Sequence, residues 1–413
     1  MKRIRFLGVI MGLALVIAAC GAGVGENSTP GETPEVESSL EPSTEVEAGD
    51  SIELDCEEPF GAGGPQFQTS YWEKTNFCLH SIDYNELLSG GPPPDGIPAI
   101  DNPQFISTQE ADEWLEDVEP VISFVVGEDA RAYPLQIMTW HEIVNDSVGD
   151  LPVVVTFCPL CNTALVFERP EIDGERLTFG TSGLLRKSDL VMYDRQTESF
   201  WQQFSGDAIV GDLTGTQLQF LPAGISSWAD FKTRFPDGIV LSRETGFNRS
   251  YGRNPYPGYD NINNTPFAFA EEPNGDILPM ARVIGIADVN GPPVSYLLSR
   301  LEEEQIINDL VEGIPLAVFW KSGTASALDS SQIVLGKDVG SVGVFKAEID
   351  GQRLTFDSPE NGVFVDQETG STWNIFGAAS EGPLAGSQLE PIPYHSTFWF
   401  AWSAFENANT LQE

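Results

Sequence analysis

The chain has 413 residues and a formal net charge of −41, from 62 acidic against 21 basic side chains. A surface so acidic repels phosphate backbones, which argues against nucleic acid as a partner. With 41% hydrophobic residues and 25 phenylalanines the chain can bury a sizeable core, and it is longer than one average domain.

Met1 to Arg5 form a short positive start, and Phe6 to Ala19 follow without a charge. A run of about 14 residues is short for a membrane-crossing helix, which needs roughly 20, and fits the apolar part of a signal peptide. Small residues before Cys20 are what a lipoprotein signal peptidase reads. Residues 1–19 are therefore expected to be a lipoprotein signal peptide. Lipid on Cys20 would tether the protein to a bacterial cell membrane, facing the extracytoplasmic side. Removal of Lys2, Arg3 and Arg5 would take the charge from −41 to −44. Residues 20–50 are Gly, Ser, Thr, Pro and Glu with almost no aromatics, so they read as a disordered acidic spacer.

Five cysteines are present, and four remain if Cys20 carries lipid. An even number in an oxidising compartment points to disulfides. Cys56 and Cys78, in an N-terminal segment over residues 51–117, are expected to form a structural one. Cys158 and Cys161 are a separate close pair.

An internal repeat follows. EIDGERLTF (171–179) matches EIDGQRLTF (348–356), and DRQTESFW (194–201) matches DQETGSTW (366–373). GDLTGTQLQFLP (211–222) matches GPLAGSQLEPIP (382–393), and EIVNDSVGDLPVVV (142–155) matches QIINDLVEGIPLAV (305–318). The expected organisation is repeat 1 over 118–240, a Gly-, Pro- and Asn-rich connector over 241–280, and a degenerate repeat 2 over 281–408. The fold class expected is mainly β (α+β), as two tandem duplicated β-rich halves with a few short helices. Strands are expected at Val121–Val126, Val153–Phe157, Thr163–Phe167, Arg176–Phe179, Leu190–Tyr193 and Phe200–Phe204. Helices are expected at Leu135–Asn145, Ser227–Arg234 and Leu297–Val311.

Matched glycines, aromatics and Asx residues read as requirements of the fold. The differences are more informative. Cys158, Cys161 and His141 of the first copy align with Lys321, Thr324 and Glu304 of the second. The first copy also has about five extra residues between Phe179 and Asp194, a stretch holding Arg186, Lys187 and Asp189 with Arg195 just beyond. Copy one therefore is expected to hold a site that copy two lacks.

Cys-x-x-Cys has two active uses. Two thiolates on one tight turn can hold a metal ion, or they can cycle a disulfide with a redox partner. With His141 from the preceding helix the set becomes Cys2His with an open position, as for a zinc or copper ion. Arg186 or Lys187 nearby would favour the thiolates. Ser182, Arg186, Asp189 and Arg195 are candidate substrate-binding residues. Two rival readings are a scaffold lipoprotein with an inert Cys158–Cys161 staple and a hydrolase using Ser182. His80 and His395 read as structural. No phosphate loop, zinc-protease helix or dinucleotide fingerprint is present.

WHEIVND (140–146), VTFCPLCNTALVFER (155–169), FGTSGLLRKSDLVMYDRQTESFW (179–201) and FWFAW (398–402) together resemble the domain-of-unknown-function family 3179. Its members are mostly bacterial and many are exported. The resemblance covers roughly residues 95 to 407. It implies that His141, Cys158 to Cys161 and Ser182 to Leu185 are family hallmarks, and it implies no reaction.

Overall fold

A computed structural model describes residues 59–60, 64–271, 277–287 and 291–406. The expected signal peptide, Cys20, the spacer and Cys56 lie outside the described residues. Cys78 is disulfide-bonded. Among the described residues no helix is long and apolar enough to cross a membrane.

The chain is mainly β with a few short helices. One four-stranded antiparallel sheet carries the candidate site. Its order is Phe220–Leu221, Thr163–Glu168 (β3), Leu151–Cys158 (β2) and Ile143–Val148 (β1). A five-stranded sheet stands beside it. There Leu87–Ser89 pairs with Phe179–Arg186 (β4), followed by Asp189–Asp194 (β5), Phe200–Gln202 and Ala208–Val210. Later in the chain, Ile306–Val311, Ile314–Lys321, Ser341–Lys346 and Glu390–Pro391 form a four-stranded sheet, and Phe356–Glu360 opens a second one.

Two expected helices are shorter than their apolar patterns. The first (α1) ends at His141 and β1 begins at Ile143. The second spans Leu298–Glu304, and a strand begins at Ile306. One device ends both. Glu142 (φ 60°) and Gln305 (φ 62°) adopt the left-handed conformation, and each donates its N–H to the carbonyl four residues back. The β-branched residues that follow, Ile143-Val144 and Ile306-Ile307, then favour strand. The expected strand Arg176–Phe179 is also split, because Glu175–Arg176 closes a small hairpin and Phe179 starts β4.

Segments matched in sequence make the same bonds. Asn145 accepts from Phe179 N–H at 2.9 Å and donates to its carbonyl at 2.8 Å, and Asn308 does both for Phe356. Each amide ties one sheet to the next. Asp194 accepts from Trp201 Nε1 and Thr197 N, as Asp366 does from Trp373 and Thr369. Tyr133 donates to Asp146, as Tyr296 does to Asp309.

Asn145 is buried, so Asn145→Ala leaves the Phe179 N–H without a partner, while the Phe179 carbonyl still accepts from Arg195 Nη1. We expect a loss of about 1–3 kcal/mol in urea denaturation. A loss below about 0.5 kcal/mol would show that the sheets are not joined through this amide.

Candidate metal centre

Cys158 is the last residue of β2 and pairs with Thr163, the first of β3. The residues between them make a tight turn. Asn162, at φ 58°, supplies the left-handed residue that closes it, and its N–H reaches the Pro159 carbonyl. The turn thus carries both sulfurs inward, and both cysteines are free thiols with 1% exposure or less. It is clamped from outside by distant chain. Cys161 O accepts from Phe398 N–H at 3.1 Å and Thr397 Oγ1 at 2.9 Å, and Asn162 Nδ2 donates to Ser396 O.

Asp189 completes the cluster. A carboxylate oxygen of Asp189 and the two sulfurs lie within 4.8 Å of one another. The β4–β5 hairpin delivers it. That hairpin runs from the Phe179–Asp194 pair to Arg186–Asp189, whereas Phe356–Glu360 and Val363–Asp366 make a shorter one. The extra residues between Phe179 and Asp194 are therefore extra length at this tip. Lys187 (φ 50°) and Ser188 (φ 68°) form its two-residue turn. Such a turn favours Asn and Gly, and two ordinary side chains in it cost of order 1–3 kcal/mol each. Lys187 Nζ secures the tip on the Ala404 carbonyl and Glu271.

Asp189 is fully buried. Its Oδ2 accepts from Gln202 Nε2 at 2.6 Å and Phe204 N–H at 2.9 Å. The Phe204 carbonyl in turn accepts from His395 Nε2, whose ring stacks on the Phe204 ring. Asp189 Oδ1 is buried and takes no N–H or O–H donor, and the Cys158 and Cys161 thiols lie within hydrogen-bonding reach of this carboxylate. Glu142, Tyr256 and Tyr259 stand close enough to act electrostatically on the cluster, and Tyr256 hydrogen-bonds Glu142. Tyr256 and Tyr259 pack against the apolar cluster that contains both cysteines. The connector is thus part of the site's wall.

Four acidic groups share this buried space. Burial pushes Asp189 up to about 6 in spite of its two N–H donors. It pushes Glu142 up to about 8, and the nearby Asp189 charge adds to the effect. Burial also raises both thiols, Cys161 furthest, and Asp189 adds to each.

The expected third ligand is not where the sequence placed it. His141 Nδ1 donates to the Pro98 carbonyl at 2.7 Å and Nε2 bonds Tyr251 OH at 2.7 Å, so both ring nitrogens are engaged away from the sulfurs. Asp189, expected among the substrate-binding residues, stands beside the sulfurs as a candidate ligand. Arg186 is spent on Glu86, and Arg195 on Asp95 and Asp101. Neither guanidinium, nor Lys187, offsets the thiols. Ser182 is buried in a bulge of β4, donates to the Val191 carbonyl and accepts from Leu184 N–H. No histidine reaches it, so it lacks the base a nucleophile needs. His80 Nδ1 bonds the Ile82 carbonyl, a local structural contact. Glu142 escaped the sequence reading, although Gln305 at the matched position was a signal.

The model of the DUF3179 family, described as a protein of unknown function, matches residues 94–409. No curated protein and no solved structure matches the chain significantly.

Without a bound cation, the folded protein holds protons on Asp189 and Glu142 that the unfolded chain releases. Stability contributed by the neutral forms is complete below about pH 4. It is lost as pH rises through about 6 for Asp189 and about 8 for Glu142. Asp189 alone accounts for about 3 kcal/mol. In chelator, the melting temperature should fall from pH 5 to pH 8.5, and Asp189→Asn and Glu142→Gln should each flatten part of that slope. A flat wild-type profile would rule this out.

Proposed function

The chain belongs to the DUF3179 family, and from that starting point we propose that it is a lipid-anchored extracytoplasmic protein that binds one metal ion through Cys158, Cys161 and Asp189. The observation that carries the reading is the close grouping of one buried carboxylate and two buried thiols, within 4.8 Å of one another, in which Asp189 Oδ1 takes no N–H or O–H donor. A divalent ion supplies the missing positive charge, deprotonates the thiols and gives the oxygen a partner. Two sulfurs held tetrahedrally at about 2.3 Å from one ion stand about 3.8 Å apart. Ligand atoms that lie within 4.8 Å of one another are compatible with that spacing. Two thiolates with one carboxylate suit a borderline-soft ion, zinc first and copper second. Three protein donors leave a fourth position, with Glu142 and Tyr256 nearby. Redox cycling is the weaker reading, because thiols that exchange disulfides are exposed and have lowered pKa values, and these are buried and raised.

The matched bonds of Asn145 and Asn308, and of Asp194 and Asp366, support descent of the two β-rich halves from one duplicated ancestor. On this reading the first half kept or gained the site through its longer hairpin. The second half, with Lys321 and Thr324 in place of the cysteines, is its structural partner.

Metal analysis of protein purified from zinc-supplemented cells tests the site. We expect one ion per chain, lost in Cys158→Ser and Cys161→Ser and held at least about tenfold more weakly in Asp189→Asn. No ion, together with a Cys158–Cys161 potential below about −300 mV, would place the pair among structural disulfides and end the metal reading.

The anchor is tested separately. Cys20→Ala should move the protein from the membrane fraction to the soluble fraction and abolish an acyl mass increment on the mature N-terminus. Unchanged membrane association, or no lipid on Cys20, would refute it.

A further inference from the structure

A sheet face made of small side chains leaves room above it. Pro120–Val126 pairs with Asp129–Pro134 on one side and with Gly224–Ser227 on the other. The register puts Ser123, Val125, Ala130, Gly224 and Ser226 on one face. None but Val125 is larger than a serine, and Val125 is 39% exposed. Along this face runs a cleft of about 640 Å³, within the range of about 300–1,000 Å³ found for small-molecule sites. Another wall is the stretch Val342–Phe345 with Tyr394. Phe235, just past the helix Trp228–Arg234, and Phe376 also line it, their ring centroids 5.2 Å apart.

The polar side-chain atoms left open in this cleft are acceptors almost throughout. Ser123 and Ser226 are buried, and their hydroxyls bond each other at 2.7 Å. Ser226 Oγ also donates to the Ser227 carbonyl at 3.4 Å. The two hydroxyl protons serve those two bonds, so lone pairs are what the floor has left. Tyr394 OH donates to the Val342 carbonyl, and Gln388 spends its Nε2 on the Phe376 and Leu389 carbonyls. Gln388 Oε1 stays open as an acceptor. Glu128 and Asp237, both exposed, add two carboxylates that hold no cation among the described residues. Arg234 is the one basic residue lining the cleft, and its guanidinium lies 4.9 Å from the Phe235 ring centroid. An aromatic face here thus already carries a positive group. The charge of the whole chain, −41, draws cations and repels anions.

We propose that this cleft is a binding site for a small organic amine with an apolar or aromatic body. The ammonium brings the donors and the positive charge that the cleft lacks, and the body fills the space between the small-residue face and the aromatic rings. A carboxylate or phosphate ligand would bring acceptors to acceptors. The proposal goes beyond the metal reading and does not depend on it.

The test is calorimetric titration of the full chain with tryptamine, and with indole-3-acetate as a probe of similar body and opposite charge. Tryptamine should bind saturably and at least about tenfold more tightly than indole-3-acetate. Ser123→Leu fills the floor of the cleft and should weaken tryptamine about tenfold or more. If Ser123→Leu does not fold, Phe376→Ala removes a half-buried ring from the wall and should still weaken binding several-fold. Arg234→Gln removes a like charge and should strengthen binding about two- to threefold. Leu335→Ala, 64% exposed and outside the cleft, should change it less than about twofold. No saturation by tryptamine, equal binding of indole-3-acetate, or undiminished binding in Ser123→Leu and Phe376→Ala would overturn the proposal. Undiminished binding would mean that the amine feels only the diffuse charge of the chain.

Discussion

The site depends on how Asp189 is held. One carboxylate oxygen takes two N–H donors, from Gln202 and from the Phe204 backbone, while the other has none. The first half of that arrangement fixes the group in space. The second leaves it chemically unfinished next to two thiols. A buried carboxylate satisfied on one side only is costly, and the strained Lys187-Ser188 turn that brings it there adds to the cost. Folds hold such combinations where a site needs them, and the neighbouring Glu142 is likewise a buried carboxylate.

The rest of the architecture serves that placement. The turn that carries the sulfurs ends one sheet, and the hairpin that carries Asp189 ends another. Asn145 locks the two sheets together at the base of the hairpin, so both donors are fixed to one frame. The later sheets have the same lock at Asn308, yet their hairpin stops short and their turn has no cysteine. Gln305 sits in the backbone conformation of Glu142 but turns its side chain to accept from the Ser358 hydroxyl. A neutral amide thus suffices where there is no cluster to face.

Much of this was legible in the amino-acid order. The β-rich class, the strands around the Cys-x-x-Cys turn and the extra hairpin length all follow from alternation, β-branched runs and comparison of the matched segments. The helix ends were not, because Glu142 and Gln305 stop their helices through a left-handed backbone that neither residue type announces. The expected place of His141 beside the sulfurs differs for a related reason. His141 is nearest in sequence, but the turn of the chain at Glu142 directs it to Pro98 and Tyr251. Asp189 comes from across a hairpin whose register cannot be read from spacing. The partner of Arg186 is Glu86, 100 positions upstream, which no local pattern reveals.

The clamp on the Cys-x-x-Cys turn has a temporal meaning. Cys161 O is held by Thr397, 236 positions later in the chain. A chain made or exported from its N-terminus therefore presents both thiols long before the segment that closes over them exists. During that interval they are open to oxidation and to stray metal. Afterwards they are sealed behind His395–Phe398 and the aromatic helix that follows. On the proposed metal reading, an ion that entered before closure would be held behind this last strand as well as by its ligands.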